Sequence, residues 1–414
     1  MRAAPPQLAD LAQASTFSPM FARCLIACAL LAPFAHAQIG ATPQTWSTTG
    51  GTARGFTAVV DLADPRVEIR VTSPLSPLQS YEATLQTTSL WHATLGNQLS
   101  INANYFGTFT ATTADVIGLS KSDGVQVSPV RVFGTVPDPA LVISPSKIAL
   151  VDYITATQAA AARWAIAGVG PSTTDTVPGT MLVTDGINTG STARVDPLVR
   201  NPRTAIGTNQ NGRQLYIAVV DGRQTNWSVG MTLPELANVM IGMGAWRAIN
   251  LDGGGSSSLL YSPIGGTLQQ NRPSGGSHRA VANHIGFSLA QSVTVGAACG
   301  NAGTIGNTGS FRLGSSNWAL TLQGSQQGSL AFAALGFPGN EFACGACTFL
   351  DVFTWTGVPM VGGNATWAWP VPNDPAFAGL VVGAQWLLLN STISPCAAVP
   401  GLFASARMHL TLLP

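Results

Sequence analysis

The sequence predicts a β-rich chain of two domains. Strand-like runs alternate with a few helical ones up to about Ser292, and short strands of a sandwich follow from Val293 onward. Three observations carry this reading. The 414 residues are 46% hydrophobic and only 9% charged, which is apolar surface enough for two cores. The 45 glycines and 27 prolines imply many turns between short elements. Cys299, Cys344, Cys347 and Cys396 all lie in the last third, whereas no cysteine lies between Cys28 and Cys299. Net charge is +1, so there is no basic field to hold nucleic acid and none is expected as a partner. Only Lys121 and Lys147 are lysines, which leaves arginine as the anion-binding residue.

At the N-terminus Arg23 precedes the apolar run C-L-I-A-C-A-L-L-A-P-F, and A-H-A at Ala35 to Ala37 has the small-x-small form of a signal peptidase site. Residues 1–37 are therefore expected to be a signal peptide cleaved after Ala37, with Met20 as the expected true start of the protein and Gln38 the first mature residue. The run is too short to span a bilayer, and no later segment has the apolar length of a membrane helix. The expected localisation is secreted or periplasmic, with no membrane span. Export agrees with two disulfides among the four remaining cysteines. Three pairings are open. The alternative for C-G-A-C at Cys344 to Cys347, a redox or zinc pair, lacks a second ligand pair.

In the first domain, residues 38–292, V-E-I-R-V-T at Val67 to Thr72 alternates as a strand does. S-L-W-H-A-T-L-G suits a short helix stopped by Gly96. Ile101 to Gly107 reads as a strand with Asn102 and Asn104 on one face. N-P-R-T-A-I-G and Q-L-Y-I-A-V-V-D-G-R form a hairpin turned by Asn209 to Gly212, which puts Arg203 and Arg223 at the same end. Surface ion pairs with Asp196 and Asp221 are the plain alternative for these two arginines. Thr232 and Glu235 make a capping box for a helix closed by Gly244, so Glu235 is structural. The strand A-W-R-A-I-N-L then delivers Asp252 to Gly253, Gly254 and Gly255. Bare backbone at a strand end lets a ligand approach closely and exposes amides to an oxyanion. The stretch is neither a Walker loop nor a nucleophile elbow. A serine hydrolase built on Ser256, His278 or His284, and Asp252 is a remaining alternative.

In the second domain, residues 293–414, S-F-R-L, W-A-L-T-L-Q, S-L-A-F-A-A-L, T-F-L-D-V-F, Q-W-L-L-L-N and M-H-L-T-L read as sandwich strands. Its few acidic residues offer little for catalysis. The stretch from Pro370 to Leu380 resembles a C-terminal module found on many exported bacterial proteins, which suggests contact with a cell surface or polysaccharide.

Taken in order, I-N-A-N-Y-F-G, N-P-R-T-A-I-G, V-V-D-G-R, the capped helix, A-I-N-L-D-G-G-G-S and N-R-P-S-G-G-S-H-R-A-V-A-N-H-I-G resemble the phosphodiester glycosidase family over about Phe56 to Leu289. The resemblance implies an α+β fold, a mixed β-sheet with packed helices, with the small disulfide-containing all-β sandwich outside it. It implies a cleft lined by Asn102, Arg203, Thr204, Asp221, Arg223, Asn250, Asp252, Gly253, Gly254, Gly255, Ser256, Asn271, Arg279 and Asn283. Asn104 and Tyr105 stand where many members have Gly and Phe.

The chemistry fits these residues. Cutting a sugar C1–O bond toward phosphate expels a phosphate monoester, whose second pKa of about 6 makes it a good leaving group. Anion neutralisation and one close carboxylate then suffice. Asp252 is expected as nucleophile or base and Asp221 as the second carboxylate. Arg203 and Arg279, helped by Arg223, would hold the phosphate, and Asn102, Asn250 and Asn271 would bind sugar hydroxyls or orient Asp252. The expected substrate is a carbohydrate phosphodiester, with no cofactor and no metal. The alternatives are a secreted glycan- or exopolysaccharide-binding protein without turnover, and a metal-dependent phosphodiesterase.

Overall fold

The computed structural model describes residues 39–414 except 76–79, 134, 170–178, 327–329, 391–394, 397, 399–400 and 414. The expected signal peptide lies outside the described residues. Strands make up 49% of the chain, and the three α-helices among the described residues, Thr88–Leu95, Ala156–Ala161 and Leu233–Met243, have only 8, 6 and 11 residues.

A seven-stranded sheet takes its strands in the order 39–48, 51–61, 214–220, 203–208, 247–250, 181–184 and 187–188. Two five-stranded sheets pack with it. One orders 269–270, 259–261, 99–102, 284–289 and 67–71; the other 125–128, 120–122, 164–167, 139–143 and 149–153. Their shared core takes Ile206, Ile217 and Ile249 from the large sheet, Ile101, Leu259 and Phe287 from the first five-stranded sheet, and Leu141, Ile143 and Ile166 from the second. Alternate residues of the large sheet, Ala205, Ala218 and Ala248, face the other way onto Leu236, Ala237 and Met240 of the longest helix. Strand 203–208 is consequently buried on both faces, which is why it lacks polar alternation.

The expected α+β fold with a mixed sheet and packed helices is overturned. Every strand ladder of the large sheet is antiparallel, and one longer helix packs on it. Strands 214–220 and 247–250, joined through the longest helix, run in the same direction but are not neighbours. In the fold, strand 203–208 lies between those two strands and pairs antiparallel with both. The hairpin itself forms as expected, Arg203 opposite Val220. Both capped ends also form as the sequence indicates: Thr232 and Glu235 bond reciprocally, and Gly96 and Gly244 close their helices in the left-handed conformation. The strand expected over Ile101 to Gly107 is shorter, ending at Asn102 before the chain enters a different sheet at Phe106–Phe109.

Ile39–Pro414 is one contact unit, within which the last third has its own apolar cluster around Phe311, Trp318, Trp386 and Phe403. A sheet ordering 292–295, 407–411, 381–389, 330–344 and 347–359 faces a three-stranded one of 304–308, 319–323 and 365–368. S-F-R-L is not a strand but contributes a single bridge, Arg312 to Leu413. The disulfides are Cys299–Cys347 and Cys344–Cys396. Each cysteine of C-G-A-C is thus tied to a distant partner, which removes the redox or zinc reading. Disulfides of this kind belong to an oxidising, extracytoplasmic compartment. Among the described residues, no helix is long and apolar enough to cross a membrane.

Candidate active site

Asp252 sits at the seam between two sheets. Its amide donates to the Ala103 carbonyl (3.1 Å), and its own carbonyl accepts from Asn102 Nδ2 (2.6 Å). The strand end is therefore fixed on both sides before any ligand arrives. Asn102 Oδ1 accepts from Thr204 Oγ1 (2.8 Å) and the Ser258 amide (3.0 Å). Asn102 and Thr204 are accordingly a buried clamp between sheets, with their polar atoms committed to protein.

The three glycines have separate physical reasons. A Cβ on Gly253 would stand 2.9 Å from the Pro202 carbonyl oxygen. Gly254 has φ of +59°, and a Cβ there would lie 3.3 Å from Arg223 Nη1. At Gly255 a Cβ would meet Arg279 Cδ at an ordinary 3.6 Å. Two guanidinium groups thus lie against the bare backbone that follows Asp252. Gly255→Ala should be tolerated, whereas Gly253→Ala and Gly254→Ala should lower kcat/KM roughly tenfold to a hundredfold by shifting the Asp252 loop or Arg223. Steady-state kinetics of the three variants beside their melting temperatures checks this.

Burial pushes the Asp252 carboxyl up to about 6, against the opposing pull of the Ser256 hydroxyl, the Arg279 guanidinium and the Gly253 amide. Arg279 lies over the Phe106 ring, 5.5 Å from its centroid. Arg223, in the left-handed region at φ 58°, is aimed by Asn201, whose Oδ1 accepts from Nε (3.0 Å) and Nη2 (2.8 Å). A non-glycine residue held there is strained, and such strain gathers at functional sites. Asn250 donates to the Tyr105 hydroxyl (2.8 Å), whose ionisation is strongly disfavoured by burial and by the Asp252 charge. Tyr105 is therefore a neutral partner. Among the buried polar atoms of this stretch, Asn250 Oδ1 and Ser257 Oγ have no hydrogen-bond partner, while the Ser256 hydroxyl faces the Asp252 carboxylate. Buried polar atoms are rarely left unpartnered, and these two lie close in sequence to Asp252.

Other expected residues are held differently. Arg203 is buried, and its guanidinium donates to the carbonyls of Met231, Val195, Asp196 and Val199 at 2.7–3.2 Å. It braces the 195–199 loop and does not present a free fork. Asp221 is buried with both oxygens occupied, Oδ2 by Trp227 Nε1 (2.9 Å) and Oδ1 by Asn271 Nδ2 (2.9 Å) and the Arg272 amide (3.0 Å). Asn271 also accepts from the Leu259 amide (2.7 Å) and donates to the Ser257 carbonyl (3.1 Å). Asn283 bonds Asn104 (3.0 Å) and Ser120 (2.8 Å), and Asn104 in turn donates to the carbonyls of Ile117 and Leu119. These groups hold loops together. Replacing Asp221 by Ala takes the acceptor from the Trp227 indole and the Arg272 amide and one of two from Asn271 Nδ2, and should destabilise the protein by about 2–4 kcal/mol, read by denaturant unfolding.

Of the expected residues, the structure gathers Asp252, Gly253, Gly254, Gly255, Ser256, Arg223, Arg279 and Asn250 at one place. Phe106 and Asn201 were not anticipated. Asn201 directly precedes the Pro–Arg of the hairpin, but no sequence signal ties it to Arg223. No hydrolase triad forms, because His278 Nδ1 bonds Ser258 Oγ (3.0 Å), while His284 is buried against Trp91 and Thr72. A separate groove of about 590 Å³ beside the longest helix is lined by Trp46, Met231, Val239 and Met243. Its one acid, Glu235, is committed to the helix cap and Arg200.

Residues 96–288 match the family model described as phosphodiester glycosidase. No curated protein matches the sequence. Among solved structures, the chain is similar to the catalytic domain of zebrafish N-acetylglucosamine-1-phosphodiester alpha-N-acetylglucosaminidase, auto-inhibited by its pro-peptide, at 20% identity and TM-score 0.47, covering 62% of this chain and 85% of that one. It is similar to a hypothetical protein from Synechocystis at 16% identity and TM-score 0.42, covering 61% and 62%. A Burkholderia pseudomallei protein described as exported follows at 17% and 0.40, covering 58% and 75%.

Proposed function

Residues 96–288 of this chain belong to the phosphodiester glycosidase family, and on that premise we propose that the protein is an exported hydrolase cleaving the sugar C1–O bond of a sugar-1-phosphodiester, releasing free sugar and a phosphate monoester. The observation that carries this is the pairing of one desolvated carboxylate, Asp252, with two arginines around a glycine backbone lined by unpartnered polar atoms.

Arg223 and Arg279 neutralise the phosphodiester. Asp252 takes a proton from water as the water oxygen attacks C1. The C1–O bond breaks with its electron pair passing to the phosphate oxygen, which needs little acid help. The proton on Asp252 then returns to solvent. Asn250 Oδ1 and Ser256 Oγ supply hydrogen-bonding positions for sugar hydroxyls, and Arg203, Asp221, Asn102 and Asn271 position the loops. A double displacement requires a second group to activate water; Asp221 is held by three donors in the loop network and we give it no such role, so we assign inversion at C1. We further read residues 1–37 as a cleaved signal peptide and 293–414 as an accessory domain.

Hydrolysis of UDP-N-acetylglucosamine and small sugar-1-phosphodiesters in oxygen-18 water tests the reading. Label in the sugar, with inversion by proton NMR, is expected. Label in phosphate, or loss of turnover with EDTA, points to a metal-dependent phosphodiesterase instead, and binding without turnover points to a glycan-binding protein.

A further inference from the structure

We propose that Arg54, Trp227 and Arg272 form a second anion subsite on the phosphate side of the cleft, taking a further negatively charged group of the aglycone. This rests on the cleft being a phosphodiester site. Trp227 carries two guanidinium groups, Arg54 at 4.7 Å and Arg272 at 5.2 Å from its ring centroid. Arg272 is exposed, and Arg54 and Trp227 are half-buried. Among the described residues neither arginine forms an ion pair, and Arg54 Nε is buried without a hydrogen-bond partner.

The neighbouring acid, Asp221, acts on Arg272 only through space, since its oxygens accept from the Trp227 indole, Asn271 and the Arg272 amide and make no ion pair with either guanidinium. Two like charges on one ring repel, and an oxyanion bound at either planar donor fork offsets that repulsion. The indole is fixed by its bond to Asp221, so the platform exists before the ligand arrives. Its position follows from the chain: Trp227 lies four residues beyond Arg223, and Gln224 Nε2 donates to the Arg272 carbonyl at 2.8 Å. Asn271, next to Arg272, reaches the Ser257 carbonyl at 3.1 Å. The stack thus borders the phosphate-binding side through Arg223. A substrate whose leaving group carries a second phosphate or a carboxylate would engage it, whereas a simple monoester-releasing diester would not.

The test uses the mature, disulfide-intact chain in titration calorimetry. Wild type is titrated with inorganic pyrophosphate. The Asp252→Asn protein is titrated with UDP-N-acetylglucosamine, with N-acetylglucosamine-1-phosphate methyl diester, and with the corresponding diester of a hydroxy acid. Arg54→Gln and Arg272→Gln should each weaken pyrophosphate and UDP-sugar binding about tenfold or more and flatten its salt dependence, leaving the methyl diester within twofold. The hydroxy-acid diester responds like the diphosphate if a carboxylate is the natural group, and like the methyl diester if a phosphate is. Equal loss for all ligands assigns the stack a purely structural role, and unchanged or absent pyrophosphate binding overturns the subsite. Wild-type turnover of the methyl diester judges the cleft separately.

Discussion

Asp252→Asn is expected to lower kcat/KM at pH 7.5 by at least about a thousandfold, while making the protein more stable at that pH. The two effects have one cause. Burial raises the carboxyl from its ordinary 3.8 to about 6, so the folded protein holds this proton more tightly than the unfolded chain does. The stability effect is therefore absent below pH 3.8, becomes unfavourable as pH rises from there through 6, and is constant above. The shift corresponds to about 3 kcal/mol at most, held in place by packing elsewhere. Asparagine has the same shape without the charge. Its melting temperature should exceed that of wild type at pH 8 and approach it at pH 4. Activity of the wild type should rise with pH through a midpoint near 6, because the ionised form is the base. A profile that falls through 6 would make Asp252 a proton donor, and an asparagine variant retaining substantial activity would remove it from the mechanism.

What the sequence made legible was locally determined. Thr232 and Glu235 satisfy each other within one helical turn, and the hairpin of 203–220 is set by its own turn residues, so both form whatever surrounds them. Asp252 with its glycines also stood out, since a carboxylate followed by bare backbone has few structural uses. The order of strands did not follow from local pattern, because strand 203–208 inserts between the parallel strands 214–220 and 247–250, so that every hydrogen-bonded pair is antiparallel.

Residue roles divided along the same line. Arg203 and Asp221 have the chemistry expected of a phosphate ligand and a catalytic carboxylate. Whether those atoms are free depends on partners remote in sequence. Arg203 is taken up by carbonyls from 195–199 and Met231, and Asp221 by donors at 227, 271 and 272. A sequence shows that a donor exists; the fold decides whether it is already committed. Asp252 is the reverse case, where the surrounding residues leave the charged group largely to the ligand.

That distinction separates Arg279 from Arg223 in a second experiment. Both lie against the glycine backbone, so Arg279→Gln and Arg223→Gln should each lower kcat/KM for a phosphodiester about a hundredfold to a thousandfold by removing charge where the leaving phosphate develops it. Only Arg279 also acts on Asp252, lowering its pKa through its charge. Loss of Arg279 should therefore move the pH midpoint of kcat/KM upward from 6, whereas loss of Arg223 should leave the midpoint in place. Arg223 is instead aimed by Asn201, so Asn201→Ala should reproduce part of the Arg223→Gln loss without moving the profile. The double variant should lose less than the product of the single losses, because two arginines on one phosphate act as a unit. Strictly multiplicative losses, or an unmoved midpoint in Arg279→Gln, would place the phosphate away from the Gly254 and Gly255 backbone and require a different anion site.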